Sequence, residues 1–569
     1  MAEWGEAALV MSPSLWLRSA GWAGLLCLQL VLCQSIPGQT EFKLGRFQEI
    51  PLIENTSFEA SLWNIPNNVT FVNIQVHTQY VNTTLSLESS GRGPLVMGAD
   101  LSLLLNLKPT ERVFKWQLYT RAQNASAVSV LLPYSARDPV PGGCSSGSDL
   151  AIDPNLYLEY DLYEARIRFS PANVGYARGA PPPLCVSSGR LQYDVYQYFL
   201  PEGDLSEETL FTSLQKMAEV QKVEENGVKL FSLGTQDKTA FTVSSIRGQG
   251  VIYNVVVKDL ELNTSAAYTL VHTYGCSFTA QMDSCHTLRR RSTQAFFVVV
   301  GLLGLFVCFF GHSYLKTEFF FIGFLILGFL SFIFFMRTFS LDYDVVLSLT
   351  AVLGLVGGAL LVLCWWSFGS VHFAMLPVGL VLGFLFASVV VFTPVGNIEV
   401  FQDDSVFWMS LACLAILVPL ASFSCPRALN ITACGLIGSY AVILAIHTFV
   451  FTSLAYITFN VLKRTLDDDF KAAFTNVPFQ LNDYILLSVW VVLLVSGMVF
   501  QFVREKDQPV FPPHPYQTWK RKQERRKTNV LDPSHHIPPL KDQLRNKLIA
   551  FKQIFVKPPP RGEQTPLLL

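Results

Sequence analysis

Between Ala295 and Val503 lies a block apolar enough to sit in a bilayer, and its histidines and carboxylates are the residues with which such a block could do chemistry. Several histidines converging at one depth with a serine and an aspartate would hold zinc and activate a water, and carboxylates at depth would carry protons or ions. His312, Lys316, Glu318 and His372 instead fall at loops expected to face the cytosol. Asp342, Asp344, Glu399, Asp403 and Asp404 fall at outer loops, and His447 alone is expected at depth. No helix carries an H-x-x-x-H pair; His312 and His372 could meet at the inner face, but His447 belongs to another level. Neither catalysis nor a metal or cofactor is expected, and a lone histidine within a span fits a packing hydrogen bond better than a proton relay.

Seven apolar stretches position these residues: Ala295 to His312, Glu318 to Met336, Val345 to Trp366, Val371 to Phe392, Val406 to Phe423, Leu429 to Ala455 and Tyr484 to Val503. Each is long enough to cross about 30 Å of hydrocarbon. The segments LILGFL around Gly328, LVLGFL around Gly383 and CGLIGSY around Gly438 recur at a spacing of 55 residues. Two spans per repeat return the chain to the same side, so the copies are expected to be parallel. Gly354 with Gly358 and Gly379 with Gly383 are G-x-x-x-G pairs, and with Gly328 and Gly438 they are assigned to close helix packing. A passage lined by these glycines, as in a transporter or channel, is the rival reading.

Composition agrees, because 50% hydrophobic and 15% charged residues over 569 positions make the membrane the natural solvent. The net charge of −1 hides an asymmetry: Arg504 to Leu569 holds 14 Lys and Arg against 6 Asp and Glu. Seven spans with the N-terminal segment outside put that basic tail in the cytosol, as the positive-inside rule requires. Arg289, Arg290 and Arg291 break the rule, and prior translocation of a folded glycosylated domain is expected to override them.

A secretory signal is expected over 1–35, with Arg18 before the apolar run Ala20 to Leu32, cleavage after Ser35, and Met11 as the effective start because Glu3 and Glu6 suit a signal poorly. A β-rich extracellular domain is expected over 36–145 and a second over 146–294, divided near the turn-rich YSARDPVPGGC. The membrane domain then covers 295–503 and the tail 504–569. Five sequons mark the extracellular part for glycosylation, at Asn55, Asn68, Asn82, Asn124 and Asn263. A sixth, at Asn430, is expected to stay bare on the cytosolic side. Cys144, Cys185, Cys276 and Cys285 are an even set in an oxidising compartment. Three pairings are possible, and Cys144 with Cys185 and Cys276 with Cys285 is preferred.

In the tail, Leu540, Leu544, Leu548, Phe551 and Phe555 share one helix face, with Lys541, Arg545, Lys547 and Lys552 on the others. This basic amphipathic helix, with KRKQERRK at Lys520 to Lys527, is expected on anionic inner-leaflet lipids. Glu563, Leu567 and Leu568 fit an acidic dileucine sorting signal for a clathrin adaptor, with cycling through endosomes or lysosomes. No nucleic-acid partner is expected. The marks of rhodopsin-like receptors are missing: Trp365-Trp366-Ser367 stands where D-R-Y would follow the third span, and no N-P-x-x-Y closes the seventh. A seven-span receptor of another kind stays open.

YSARDPVPGGC (Tyr134 to Cys144), DPNLYLEY (Asp153 to Tyr160), LQYDVYQYFLPEGDL (Leu191 to Leu205), GQGVIYNV (Gly248 to Val255), FTNVPFQLND (Phe474 to Asp483), FPPHPY (Phe511 to Tyr516), LDPSHHIPPL (Leu531 to Leu540) and the terminal TPLLL resemble the seven-transmembrane superfamily member 3 family. The membrane block is similar to the transmembrane protein 198-like proteins. The resemblance implies a plasma-membrane protein that favours cell survival, restraining death induced by cytokines or unfolded-protein stress, and that supports insulin secretion. It brings no catalytic residues. The expected class is thus a multi-pass α-helical membrane protein with an N-terminal extracellular, mostly β ectodomain, acting as a non-enzymatic scaffold or receptor-like protein.

Overall fold

Short runs of alternating apolar residues broken by Asn, Gly and Pro favour strands before residue 290, and long unbroken apolar runs favour helices after it. The computed structural model describes residues 40–87, 94–122, 125–145, 150–234, 239–279, 284–285, 290–368, 370–422, 425–508, 511, 515–528 and 545. These form two compact units. One lies within Met1–Asn155, Ser170–Gln192 and Val256–Thr269, the other within Leu156–Phe169, Tyr193–Val255 and Leu270–Leu569.

The first unit is built on β1 (Thr40–Phe42), β2 (Gln48–Leu52), β3 (Ser57–Leu62), β4 (Phe71–His77), β5 (Thr83–Ser86), β6 (Leu95–Gly98), β7 (Asp100–Asn106), β8 (Phe114–Thr120) and β9 (Ala125–Tyr134). They form two sheets, ordered β1-β3-β8-β5-β6 and β2-β9-β4-β7. Trp116 anchors the core on β8, its ring 5.1 Å from Phe42 and 5.4 Å from Phe114. All of β4 is buried, and His77 Nδ1 meets Asp100 Oδ1 at 2.8 Å across the β4–β7 pair, while the side-chain amide of Asn73 is buried without a hydrogen-bond partner among the described residues. Pieces of the second β-rich segment join this unit, with Ser102 N donating to Asn155 Oδ1 at 2.7 Å and the Tyr134 hydroxyl donating to Ala267 O at 3.1 Å.

The remaining strands are β10 (Leu156–Tyr160), β11 (Glu164–Phe169), β12 (Leu191–Phe199), β13 (Val228–Gly234), β14 (Ala240–Ser244), β15 (Val251–Asp259), β16 (Thr264–Ala267) and β17 (Val271–Thr273). Strands β10, β11 and β14 make a three-stranded antiparallel sheet, while β13-β12-β15-β16 with β17 makes another. Two short helices interrupt the strands, α1 (Glu207–Gln215), capped by Ser206, and α2 (Val220–Asn226). Disulfides join Cys144 to Cys185 and Cys276 to Cys285.

Seven helices among the described residues are long and apolar enough to cross a membrane. They are α3 (Arg291–Phe310), α4 (Leu315–Thr338), α5 (Tyr343–Phe368), α6 (Val371–Phe392), α7 (Asp404–Ser422), α8 (Pro426–His447) and α10 (Leu481–Arg504); α9 (Tyr456–Leu466) lies between the last two, and α11 (Pro515–Thr528) follows them. Neighbours pack antiparallel through small residues. A Cβ on Gly358 would come within 2.6 Å of Phe320 O, one on Gly354 within 2.8 Å of the Phe324 ring, and one on Gly379 within 2.7 Å of Pro419 Cβ. A Cβ on Gly383 would collide with the Ala415 carbonyl, which joins α6 to α7. Gly438 of α8 packs on α3, where a Cβ would lie 2.5 Å from Gly304 O. The third repeat copy thus pairs back onto the first span.

Several positions differ from expectation. Gly328 makes no close approach, since its nearest neighbour for a Cβ is Thr350 Cγ2 at 3.9 Å; Gly323, against Gly357 O at 2.5 Å, takes the tight place on α4. Helix α8 ends at His447 rather than Ala455, because the apolar run continues into a turn and a separate helix. His447 accordingly caps the end of a span, half-buried against Phe451 and Phe459, and is not a group at depth. Glu318 and His312 are not loop residues facing water: they are 1% and 5% exposed, packed into the end of the bundle.

Candidate functional site

The connection from α8 to α10 is held at both ends before it touches anything else. Gln480 and Asp483 form a reciprocal capping box at the start of α10, with Gln480 N donating to Asp483 Oδ2 at 3.1 Å. The other oxygen of the fully buried Asp483 accepts from Thr452 Oγ1 at 2.8 Å and Ser453 N at 2.6 Å, fixing the start of α9. Helix α9 buries Tyr456, Ile457, Asn460 and Val461, and its last turn carries Lys463 and Arg464.

From this base the connection joins the β10-β11-β14 sheet. Phe474 N donates to Thr242 O at 2.9 Å and Ser244 N donates to Phe474 O at 2.9 Å, a parallel bridge that covers the outer edge of β14. The Phe474 ring lies 4.7 Å from Phe231, itself 5.6 Å from Phe241. The Lys463 ammonium donates to Ser244 Oγ at 3.0 Å, to Tyr163 O at 3.3 Å and to Ser245 O, under the rings of Tyr456 and Phe470. At the other end, Gln480 Oε1 accepts from Glu202 N at 3.0 Å and its amide donates to Leu200 O at 3.0 Å, while Asn482 Nδ2 donates to Glu202 Oε2 at 2.6 Å.

Burial pushes the Lys463 ammonium down to about 7, with Asp161 acting against it. Burial raises the Glu202 carboxyl to about 7; the Asn482 amide pulls it down and the neighbouring Asp483 carboxyl pushes it up. Two groups that titrate close to neutrality therefore sit at opposite ends of one contact surface. The arrangement ties a β-sheet to two helices by backbone and side-chain hydrogen bonds.

None of these residues was singled out for a role in the sequence, although Phe474, Gln480 and Asp483 lie in the segment FTNVPFQLND that carried part of the family resemblance. The Q-x-x-D spacing before an apolar run was a readable helix start. Of the glycosylation candidates, Asn55, Asn68, Asn82 and Asn263 are exposed, and Asn55 and Asn263 have φ of +57° and +51° at turns. Asn430 is fully buried. Asn124, the signal segment and the sorting residues Glu563, Leu567 and Leu568 lie outside the described residues, as do the apolar positions of the tail helix from Leu540 to Phe555. Among the described residues, no three His, Cys, Asp or Glu side chains gather as metal ligands would.

The strands and helices match three family models: a "TM7SF3-like, N-terminal immunoglobulin-like domain" over 38–134, a "TM7SF3-like, second immunoglobulin-like domain" over 139–279, and a "TM7S3/TM198-like domain" over 297–502. The chain is 52% identical over 548 residues to transmembrane 7 superfamily member 3 of Mus musculus, covering 94% of this chain and 96% of the relative. The chain belongs to the transmembrane 7 superfamily member 3 family. The human relative of the same name is 52% identical over 551 residues, covering 95% of this chain and 96% of its own. The fold is thus N-terminal immunoglobulin-like β-domains followed by seven apolar helices.

Proposed function

We propose that this chain is a non-enzymatic, receptor-like or scaffolding glycoprotein of the plasma membrane, N-terminus outside and C-terminus in the cytosol. It promotes survival under cytokine or unfolded-protein stress and supports insulin secretion. Its immunoglobulin-like domains take the protein partner, its tail rests on anionic lipid, and its dileucine engages an adaptor for cycling. The glycans sit on Asn55, Asn68, Asn82, Asn124 and Asn263.

The observation that carries this reading is the bridge between Phe474 and β14, reinforced by Lys463 and Gln480. A domain joined to the bundle only by a linker could bind a partner without the helices responding. Here a partner that shifts the β10-β11-β14 sheet acts on the connection between α8 and α10, which gives binding a differential effect on the helices. The test is rescue of stressed secretory cells lacking the endogenous protein. Phe474→Pro removes the N–H that bonds Thr242 O. The variant should reach the surface at the wild-type level and fail to protect; equal protection by a surface-expressed variant overturns the coupling.

A further inference from the structure

The end of the bundle opposite the α8–α10 connection holds a polar cluster made by four helices. His312 lies in the turn between α3 and α4, Glu318 in the first turn of α4, Asn430 near the start of α8 and Gln501 in the last turn of α10. Glu318 is 1% exposed, and Asn430 and Gln501 are fully buried. Asn430 Nδ2 donates to Glu318 Oε2 at 2.8 Å and to His312 Nδ1 at 3.0 Å. Gln501 is fully engaged: its Oε1 accepts from His312 N at 3.0 Å and its Nε2 donates to Cys308 O at 2.6 Å.

Two acceptors are left over. Glu318 Oε1 and Asn430 Oδ1 are buried without a hydrogen-bond partner among the described residues. Turning the amide of Asn430 would set its oxygen against the Glu318 carboxylate, so the orientation with Nδ2 toward Glu318 Oε2 is kept. The ion pairs of the helical region lie elsewhere, as with Arg337 and Asp468 or Arg464 and Asp404. A carboxylate in this setting is too costly without positive charge beside its free oxygen.

We propose that Glu318 and Asn430 form a binding site for one small monovalent cation, a proton or a sodium ion, on Glu318 Oε1 and Asn430 Oδ1. The single carboxylate and two free oxygens set the valence, for calcium takes six to eight oxygens and commonly several carboxylates. The other titratable and charged groups around it are His312, Cys308 of α3 and Cys434 of α8, whose thiol touches both site residues. Nearer the surface, Arg427 donates to the Glu505 backbone carbonyl, Ser313 donates to the Glu505 carboxylate, and Arg504 lies over Phe310. The site joins α4 to α8, so occupancy bears on helix packing and does not depend on what the ectodomain binds.

The test uses the full-length protein in lipid nanodiscs, with thermal unfolding followed in sodium, potassium and choline chloride at equal ionic strength and from pH 5.5 to 8. Sodium binding raises the midpoint in sodium over choline, increasingly with concentration, and Glu318→Gln removes that response. Proton binding gives no preference among the salts but a pH dependence in the wild type that Glu318→Gln flattens. If Glu318→Gln does not fold, Asn430→Ala keeps the carboxylate and removes both one oxygen and the amide that donates to Glu318 Oε2, so a sodium response should shift to about tenfold higher cation concentration and a proton response to higher pH. Identical salt and pH responses in wild type and variant, as a trapped water on the two oxygens would give, overturn the proposal.

Discussion

The ammonium of Lys463, in the helix between the sixth and seventh spans, donates to the side chain of Ser244 on β14 at 3.0 Å. A charge at the end of an amphipathic helix is ordinarily solvated, and here it is spent on a strand edge. That contact and the one at Glu202 make the attachment sensitive to pH in opposite directions.

Lys463 titrates near 7 in the folded chain against 10.5 ordinarily, so the unfolded chain holds the extra proton between those values. Its contribution to stability rises as pH climbs from about 7 and is lost as pH falls through 7. Glu202 titrates near 7 against 4.5 ordinarily, so the folded chain holds the extra proton; its contribution is full below 4.5 and lost as pH rises through 7. The attachment should be weakest near neutrality. Unfolding midpoints from pH 5 to 9 should show this dip, with Glu202→Gln flattening the acid limb and Lys463→Met the alkaline one. A profile that neither substitution changes refutes the assignment.

Glycines of the bundle should divide sharply. Gly383→Ala puts a methyl into the Ala415 carbonyl and should leave little monodisperse protein after detergent extraction, a loss of several kcal/mol of packing. Gly328→Ala meets only Thr350 Cγ2 at 3.9 Å and should extract like the wild type, within about 0.5 kcal/mol. Size-exclusion profiles of the two variants decide the matter.

The two disulfides should differ in weight. The Cys144–Cys185 link closes 41 residues and the Cys276–Cys285 link closes 9. Chain entropy assigns them about 4 and about 2.5 kcal/mol. Cys144→Ser should therefore be retained in the secretory pathway more strongly than Cys276→Ser, read as the fraction resistant to endoglycosidase H.

Glycan mapping should follow exposure. Asn55→Gln, Asn68→Gln, Asn82→Gln and Asn263→Gln should each remove one mobility step that glycosidase treatment of the wild type also removes. Asn430, buried at 0% exposure beside Glu318, should contribute no step.

Seven spans and a β-rich N-terminal half were legible because both rest on patterns that neighbouring residues repeat, apolar runs of about 20 residues and alternation with turn formers. The boundary at His447 was not, since Phe449, Val450 and Phe451 prolong the hydrophobic run through a turn. Glu318 was misplaced for a related reason. It lies four residues beyond the turn His312–Tyr314 and reads as a helix-start charge, and its burial comes from α8, whose Asn430 is 112 residues further on. Lys463 was invisible because its acceptors include a backbone carbonyl 300 residues away, which leaves no mark on local composition.

The pairing of α3 with α8 has a consequence for how the protein is made. Gly301, Gly304 and Gly311 present a bare backbone groove that Ala445, Ala441 and Cys434 fill. At a synthesis rate of 5–20 residues per second, on the order of ten seconds separate the emergence of the two helices from the ribosome. Over that interval the glycine groove of the first span lacks the residues that fill it. Insertion of the sixth span supplies the residues that fill this groove, so nascent chains halted before it should be the substrates that membrane chaperones and quality-control factors meet.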